Sequence, residues 1–299
     1  MDLVDTAFDP PAATTVDDVV VDFIDLQYQQ TVMTAAGDLA AQHLKSFYPG
    51  DPLAIPPIPP GSNAGRAFVL IVEGTILANE FATMAYDRTV GDEIPVGEAV
   101  ANLAASADCL AVIALGQCAA FGNWPAARNQ KASGTDYART QGLPVTSFLA
   151  TRGISKTVVN LSGCPPQPEV FLLTVADFLT GSLTFINDGT NRPSPYYDHT
   201  LHWANGYAVD DPAFQGCPRF YDYKGWDPVT GQDRPPKFAT KRGDDGCLIM
   251  IGCKGPSTKT PCTVYQYLGK RSFCTKSSTP CQGCHEKGYP DKFSPYLEY

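Results

Sequence analysis

Over the first 190 residues, short apolar runs rich in β-branched residues alternate with stretches of helical period. The runs are VVVDFIDLQY (19–28), RAFVLIVEG (66–74), CLAVIALG (109–116) and KTVVNLSG (156–163). Their near-continuous apolar character predicts strands buried on both faces, as in a parallel sheet. Between the first two, TVMTAAGDLAAQHLKSF brings Met33, Ala36, Ala40, Leu44 and Phe47 to one side of a helix. A later helix is predicted for PEVFLLTVADFLTG, with Pro168 in its first turn and Gly181 just past its last. The alternation predicts an α/β domain over residues 1–190 built on a doubly wound parallel sheet. The stretch PGDPLAIPPIPPGSNAG (49–65) reads as a stiff proline-rich connector.

After residue 190 the pattern changes. NRPSPYYDHTLHWANGYAVDDPAFQGCPRFYDYKGWDPVTGQDRPPKF holds many prolines, glycines and aromatics and keeps no period. A second, loop-rich domain is therefore expected over residues 191–299, held together by something other than regular backbone pairing.

Composition narrows the chemistry. A chain of 299 residues buries enough apolar surface to need no covalent staples, so its ten cysteines call for another explanation than disulfides. Net charge is −9 and no basic stripe occurs, which argues against a phosphate-neutralising nucleic-acid binder and for a protein partner. No apolar run reaches the ~18 residues of a membrane span, and the first 20 residues lack the basic and apolar parts of a secretory signal. A soluble or peripherally membrane-associated chain is expected, its periplasmic or cytoplasmic side open.

Parallel sheets bind ligands outside the carboxyl ends of their strands. Three predicted strand ends carry candidate groups, namely Glu73 with Gly74, Cys118 in GQCAAFG, and Cys164 in GCPPQP, and all three are expected on one edge. Cys109, at a strand start, reads as a small buried hydrophobe. Six of the ten cysteines fall within positions 247–284, namely Cys247, Cys253, Cys262, Cys274, Cys281 and Cys284, and Cys217 precedes them. With one histidine from DHTLH these make eight donors, enough for two four-ligand sites. Thiolates hold both zinc and iron-sulfur clusters. Only Cys281 and Cys284 form a C-x2-C pair, and the wide, irregular spacing of the others favours a cluster wrapped by loops over a zinc ribbon. His43 and His285 read as solvated side chains, with His285 also placed to donate to a cluster sulfur. There is no glycine-rich phosphate loop, no serine elbow and no paired acid and base, which leaves electron transfer.

Taken together, VEGTI, AVIALGQCAAFG, VNLSGCPPQPEVF, RPSPYYDHTLH, CLIMIGCKGP and PCQGC resemble the small, electron-transferring subunit of nickel-iron hydrogenases. The resemblance implies a flavodoxin-like N-terminal domain and no catalytic residue on this chain. It implies a nickel-iron large subunit as partner and an external redox partner, in reversible oxidation of dihydrogen. Three clusters are implied. A proximal 4Fe-4S cluster would use Cys118 and Cys164, its other two thiolates belonging to a CxGC motif not found in this sequence; a missing segment or a short separate chain is expected to supply them, in preference to an altered proximal cluster. A distal 4Fe-4S cluster would use His202, Cys217, Cys247 and Cys253, with His199 in reserve.

At the medial site the family often has a 3Fe-4S cluster on cysteines matched by Cys262, Cys281 and Cys284. Here Cys274 stands where those relatives have proline, so a medial 4Fe-4S cluster of lower potential is expected. A second departure is the spacing of 14 residues, WANGYAVDDPAFQG, between His202 and Cys217 where the resemblance implies two, read as an insertion of about twelve that covers the electron exit or docks a partner. Two other readings compete: a complex I type subunit, with one cluster and no ordered C-terminal sites, and a non-redox scaffold with structural zinc.

Overall fold

The computed structural model describes residues 26–29, 37–49, 67–77, 83–87, 92–127 and 142–293. They divide into two compact units, the first within Asp17–Asn160 and the second within Leu161–Tyr299. The boundary expected at residue 190 falls inside the second unit. Residues 50–66, most of the proline-rich connector, lie outside the described residues, as do 19–25 of the first expected strand; residues 26–28 of that run carry no strand.

In chain order the first unit has α1 (Asp38–Lys45), β1 (Phe68–Glu73), β2 (Ile76–Leu77), β3 (Thr83–Asp87), β4 (Asp92–Pro95), α2 (Val96–Ala105), β5 (Cys109–Leu115), α3 (Gly116–Phe121), β6 (Gly142–Leu143), α4 (Val145–Thr151) and β7 (Val158–Leu161). Three of the four expected strands form a sheet of order β1-β5-β7, with β1 parallel to β5 and Glu73 opposite Leu115. Burial follows position in that sheet. β7 is buried throughout and β5 in most of its length, but β1 leaves Ile71 42% exposed. Burial on both faces thus fails for β1. Among the described residues it pairs with β5 alone and stands at an edge.

The core beneath the sheet joins Val72, Val112 and Val158 of the strands to Val100 and Ala104 of α2 and Val145, Phe148 and Leu149 of α4. Cys109 belongs to this core at 2% exposure, the apolar role expected of it. α1 closes a second cluster with Ala41 and Leu44 against Ile94, Ala99 and Leu103, and Phe47 packs beside it. Met33 and Ala36 lie outside the described residues.

The second unit opens on α5 (Pro168–Thr180), which begins and stops where the sequence predicts. Pro168 takes the first turn, where its missing N–H costs nothing, and Gly181 caps the end in a left-handed conformation at φ 72°. Beyond it, regular structure is sparse: α6 (Ser194–Tyr197), α7 (Phe220–Lys224), a two-stranded ribbon of β8 (Trp226–Asp227) and β9 (Gln232–Asp233), and α8 (Cys262–Tyr265).

Two arginines supply much of the missing cohesion. Arg192, 1% exposed, donates from Nη1 to the carbonyls of Lys259 at 3.2 Å and His285 at 3.1 Å, and it pairs with Glu286 at 3.2 Å and Asp188 at 3.1 Å. Arg219 donates to the carbonyls of Asp244 (3.1 Å), Gly246 (2.7 Å) and Thr275 (3.3 Å) and to the Ser278 hydroxyl (2.7 Å). Each ties together segments far apart in sequence. Arg192→Leu removes the countercharge of Glu286 and the donor to two buried carbonyls, so the second unit should lose about 3 kcal/mol of stability, read as an earlier unfolding transition.

Candidate metal centres

Cys262, Cys274, Cys281 and Cys284 line one cavity of about 210 Å³, together with Cys164, Thr258, Thr260, Leu201, Tyr267 and His285. Cys262 opens α8, Cys274 follows the buried Phe273, and Cys281 and Cys284 flank Gly283. Leu201, Cys217, Cys262, Phe273 and Cys281 pack as one hydrophobic cluster, so the irregular segments share a core that consists largely of sulfur. Burial pushes the Cys262 thiol up to about 11 and raises those of Cys281, Cys284 and Cys274 as well. A buried thiolate here needs a cation to balance it.

A second group adjoins the first. His202 points Nε2 at Cys247 Sγ, 3.9 Å away, with Phe220 and Tyr223 of α7 packed against its ring at centroid distances of 5.3 and 4.6 Å. Burial, aided by Lys224, lowers the pKa of His202, which favours the neutral imidazole that binds metals. Cys217, pushed up to about 11 by burial, feels Cys253 and Cys247 electrostatically. His199 is engaged elsewhere, 3.4 Å from the Thr263 hydroxyl and stacked on Trp203 at 4.5 Å. The Cys281 N–H donates to Cys253 Sγ at 3.2 Å, so the two groups touch through a backbone amide.

The 14 residues between His202 and Cys217 fold back on themselves. Asn205 closes the loop by donating to the Ala213 carbonyl (2.7 Å) and accepting from the Gln215 N–H (3.0 Å), and Cys217 N–H donates to the Trp203 carbonyl at 2.7 Å. Gly216, at φ 149°, permits this closure, since a Cβ there would lie 2.4 Å from the Trp203 carbonyl oxygen. The loop therefore leaves Cys217 beside the histidine despite the separation in sequence.

The donor chemistry suits an anionic cluster. Burial raises the thiols of Cys217, Cys247, Cys253 and Cys281, and the backbone N–H groups two residues on, those of Arg219, Ile249, Gly255 and Gly283, act in the opposite direction. Amides turned toward sulfur in this way favour the thiolate and are a recurring feature of iron-sulfur sites. Among the described residues no three His, Cys, Asp or Glu side chains meet closely enough to chelate a single ion. The donors surround a cavity instead.

Of the other candidates, Cys118 lies in α3 of the first unit, directly after β5, and accepts a hydrogen bond from Asn123 Nδ2 at 3.2 Å. Glu73 ends β1 opposite Leu115. Cys164 follows β7 and, in the second unit, its backbone N–H bonds the Cys284 sulfur. His43 is half-buried on Phe47, with ring centroids 5.5 Å apart. His285 corrects its expectation of a solvated side chain. It is 1% exposed, and its Nε2 lies 3.3 Å from Cys262 Sγ. Gln167 and Tyr267, which sequence reasoning missed, also reach that sulfur, at 3.2 and 3.9 Å.

Residues 215–297 match the family described as the C-terminal part of the NiFe/NiFeSe hydrogenase small subunit, and residues 6–178 match the family described as NADH ubiquinone oxidoreductase, 20 Kd subunit. The quinone-reactive Ni/Fe-hydrogenase small chain of Wolinella succinogenes is 30% identical over 289 residues, covering 95% of this chain and 67% of the relative. The periplasmic NiFeSe hydrogenase small subunit of Desulfomicrobium baculatum is 27% identical, covering 93% of this chain and 78% of that one. The chain spans 56% of the length of the F420 non-reducing hydrogenase I small subunit of Methanosarcina mazei, to which it is 29% identical over 77% of its own residues. Among solved structures, that of the H2-activated NiFeSe hydrogenase of Dm. baculatum superposes with a TM-score of 0.70 at 25% identity, over 94% of this chain and 89% of that one. A sheet of parallel strands, a sulfur-lined cavity with a histidine-bearing neighbour, and these likenesses together make the chain a member of the NiFe and NiFeSe hydrogenase small-subunit family.

Proposed function

We propose that the chain is the electron-relay subunit of a nickel-iron hydrogenase. It would carry electrons between the dihydrogen-converting site of a large partner subunit and an external redox partner. The observation that carries this reading is the contact between the two donor groups, in which the Cys281 amide bonds the Cys253 sulfur. Iron-sulfur clusters, when bound, supply one-electron carriers whose potentials follow ligand identity, hydrogen bonding and burial. Cys262, Cys274, Cys281 and Cys284 would hold a medial 4Fe-4S cluster, and His202, Cys217, Cys247 and Cys253 a distal one.

The chain's own residues do the rest. Leu201 and Phe273 exclude water beside the medial donors. Phe220 and Tyr223 shelter the His202 ring, and Arg219 fixes the loops that carry Cys217 and Cys247. Cys118 and Cys164 are read as ligands of a proximal cluster, the domain around the first as flavodoxin-like. The closed loop over 203–216, with Tyr207 and Val209 exposed, offers the external partner a surface beside the distal donors. A complex I type reading accounts for residues 6–178 but leaves the match over 215–297 without a role.

Metal analysis and electron paramagnetic resonance of the purified complex test the assignment. Iron with inorganic sulfide and reduced-state 4Fe-4S signals are expected. Zinc without iron would overturn it.

A further inference from the structure

The Cys262 sulfur is set apart from the other candidate ligands by its neighbours. Gln167, just before α5, sends Nε2 to it at 3.2 Å, and His285 places Nε2 at 3.3 Å. Both side chains are 1% exposed, and Cys262 is 6% exposed. The Tyr267 hydroxyl stands 3.3 Å from the same histidine nitrogen and donates its proton to the Pro165 carbonyl at 2.8 Å. His285 Nε2 thus faces two acceptors, a thiolate and a hydroxyl oxygen whose hydrogen points away, so the proton belongs on Nε2. The Ser162 carbonyl lies on the Nδ1 side of the ring and accepts from the Tyr197 hydroxyl at 2.8 Å, but it falls outside hydrogen-bond geometry to Nδ1 itself. Gly163, at φ 142°, lets the backbone pass against the ring, because a Cβ there would lie 2.7 Å from His285 Cε1.

We infer that Gln167 and His285 are tuning residues whose N–H groups on the Cys262 sulfur raise the reduction potential of the cluster at Cys262, Cys274, Cys281 and Cys284. The inference rests on reading those four cysteines as cluster ligands. One electron entering from dihydrogen oxidation adds one negative charge to the cluster and its sulfurs. N–H groups bind the more negative sulfur more strongly, so they favour the reduced form. No proton is taken up, because both donors are already protonated and neutral. Burial enlarges the effect, since little water competes for the sulfur.

The test is a redox titration of the assembled complex, followed by electron paramagnetic resonance, for wild type, Gln167→Met, His285→Phe and His285→Gln. Gln167→Met keeps side-chain length and removes the donor. It should move the midpoint to lower potential, cutting the reduced-to-oxidised ratio at the wild-type midpoint about tenfold, or ~59 mV for one electron. His285→Phe should act in the same direction, and His285→Gln, which returns an N–H to that position, should recover most of the loss. An unchanged midpoint at full iron content overturns the inference and leaves the ligand assignment standing. A wild-type medial site without iron overturns both. Should a variant lose iron, the wild-type complex still decides: with 15N confined to histidine rings and glutamine side-chain amides, a nitrogen coupling to the medial cluster supports the donors, and its absence refutes them.

Discussion

The Cys281→Ala variant should lose about four iron atoms per chain, and the second unit should become sensitive to proteolysis around residues 247–284. The effect is expected to exceed that of an ordinary core truncation for two reasons. Cys281 is 4% exposed and sits in the hydrophobic cluster with Leu201, Cys217, Cys262 and Phe273, so its sulfur is a packing atom as well as a ligand. Its neighbours also have little regular pairing to fall back on, being joined by single bridges such as Thr200 to Lys259 and Phe238 to Cys247. Where loops surround a metal site, binding free energy is folding free energy. Cys281→Ser is the useful companion: it nearly preserves volume while replacing the thiol, so iron lost in both variants would assign the effect to the missing sulfur ligand. Iron content equal to wild type in both variants would remove Cys281 from the ligand set.

The sequence made the regular elements legible because they obey local rules. β5 and β7 are buried apolar runs, and α5 lies between a first-turn proline and a terminal glycine, signals that act within a few residues of themselves. The cysteines stood out as candidate donors because so many thiols in a chain with an adequate core need a purpose. The reach of His285 to a sulfur was expected but its burial was not, since that burial comes from distant partners: Arg192 holds its carbonyl, Gly163 makes room for its ring, and Tyr267 and Cys262 face its nitrogen. Gln167 was hidden in the same way, 95 residues from the sulfur it reaches. How close the 14 residues after His202 leave Cys217 to the histidine was not legible, because linear spacing does not give distance. Asn205 and Gly216 close the loop and cancel the separation.

Replacing Cys274 with proline should convert the medial site to a three-iron cluster. The oxidised complex would gain the paramagnetic signal of that cluster, iron would fall by about one atom per chain, and the midpoint would move to higher potential. The argument starts from geometry. Cys274 lines the same cavity as Cys262, Cys281 and Cys284, and its thiol is raised chiefly by burial. Removing it leaves three thiolates still anchored, by α8 at Cys262 and by the segment around Gly283, which the Arg192 bonds to the His285 carbonyl and Glu286 hold in place. One corner of the cavity would then lack a ligand while the other three keep theirs. Gln167 and His285 bond Cys262 and not Cys274, so their contribution should persist in the Cys274→Pro background: adding Gln167→Met there should again lower the midpoint by a similar amount. An oxidised spectrum unchanged from wild type would show that the fourth sulfur is not a ligand. Loss of all medial iron would show that the three remaining cysteines cannot hold a cluster without it.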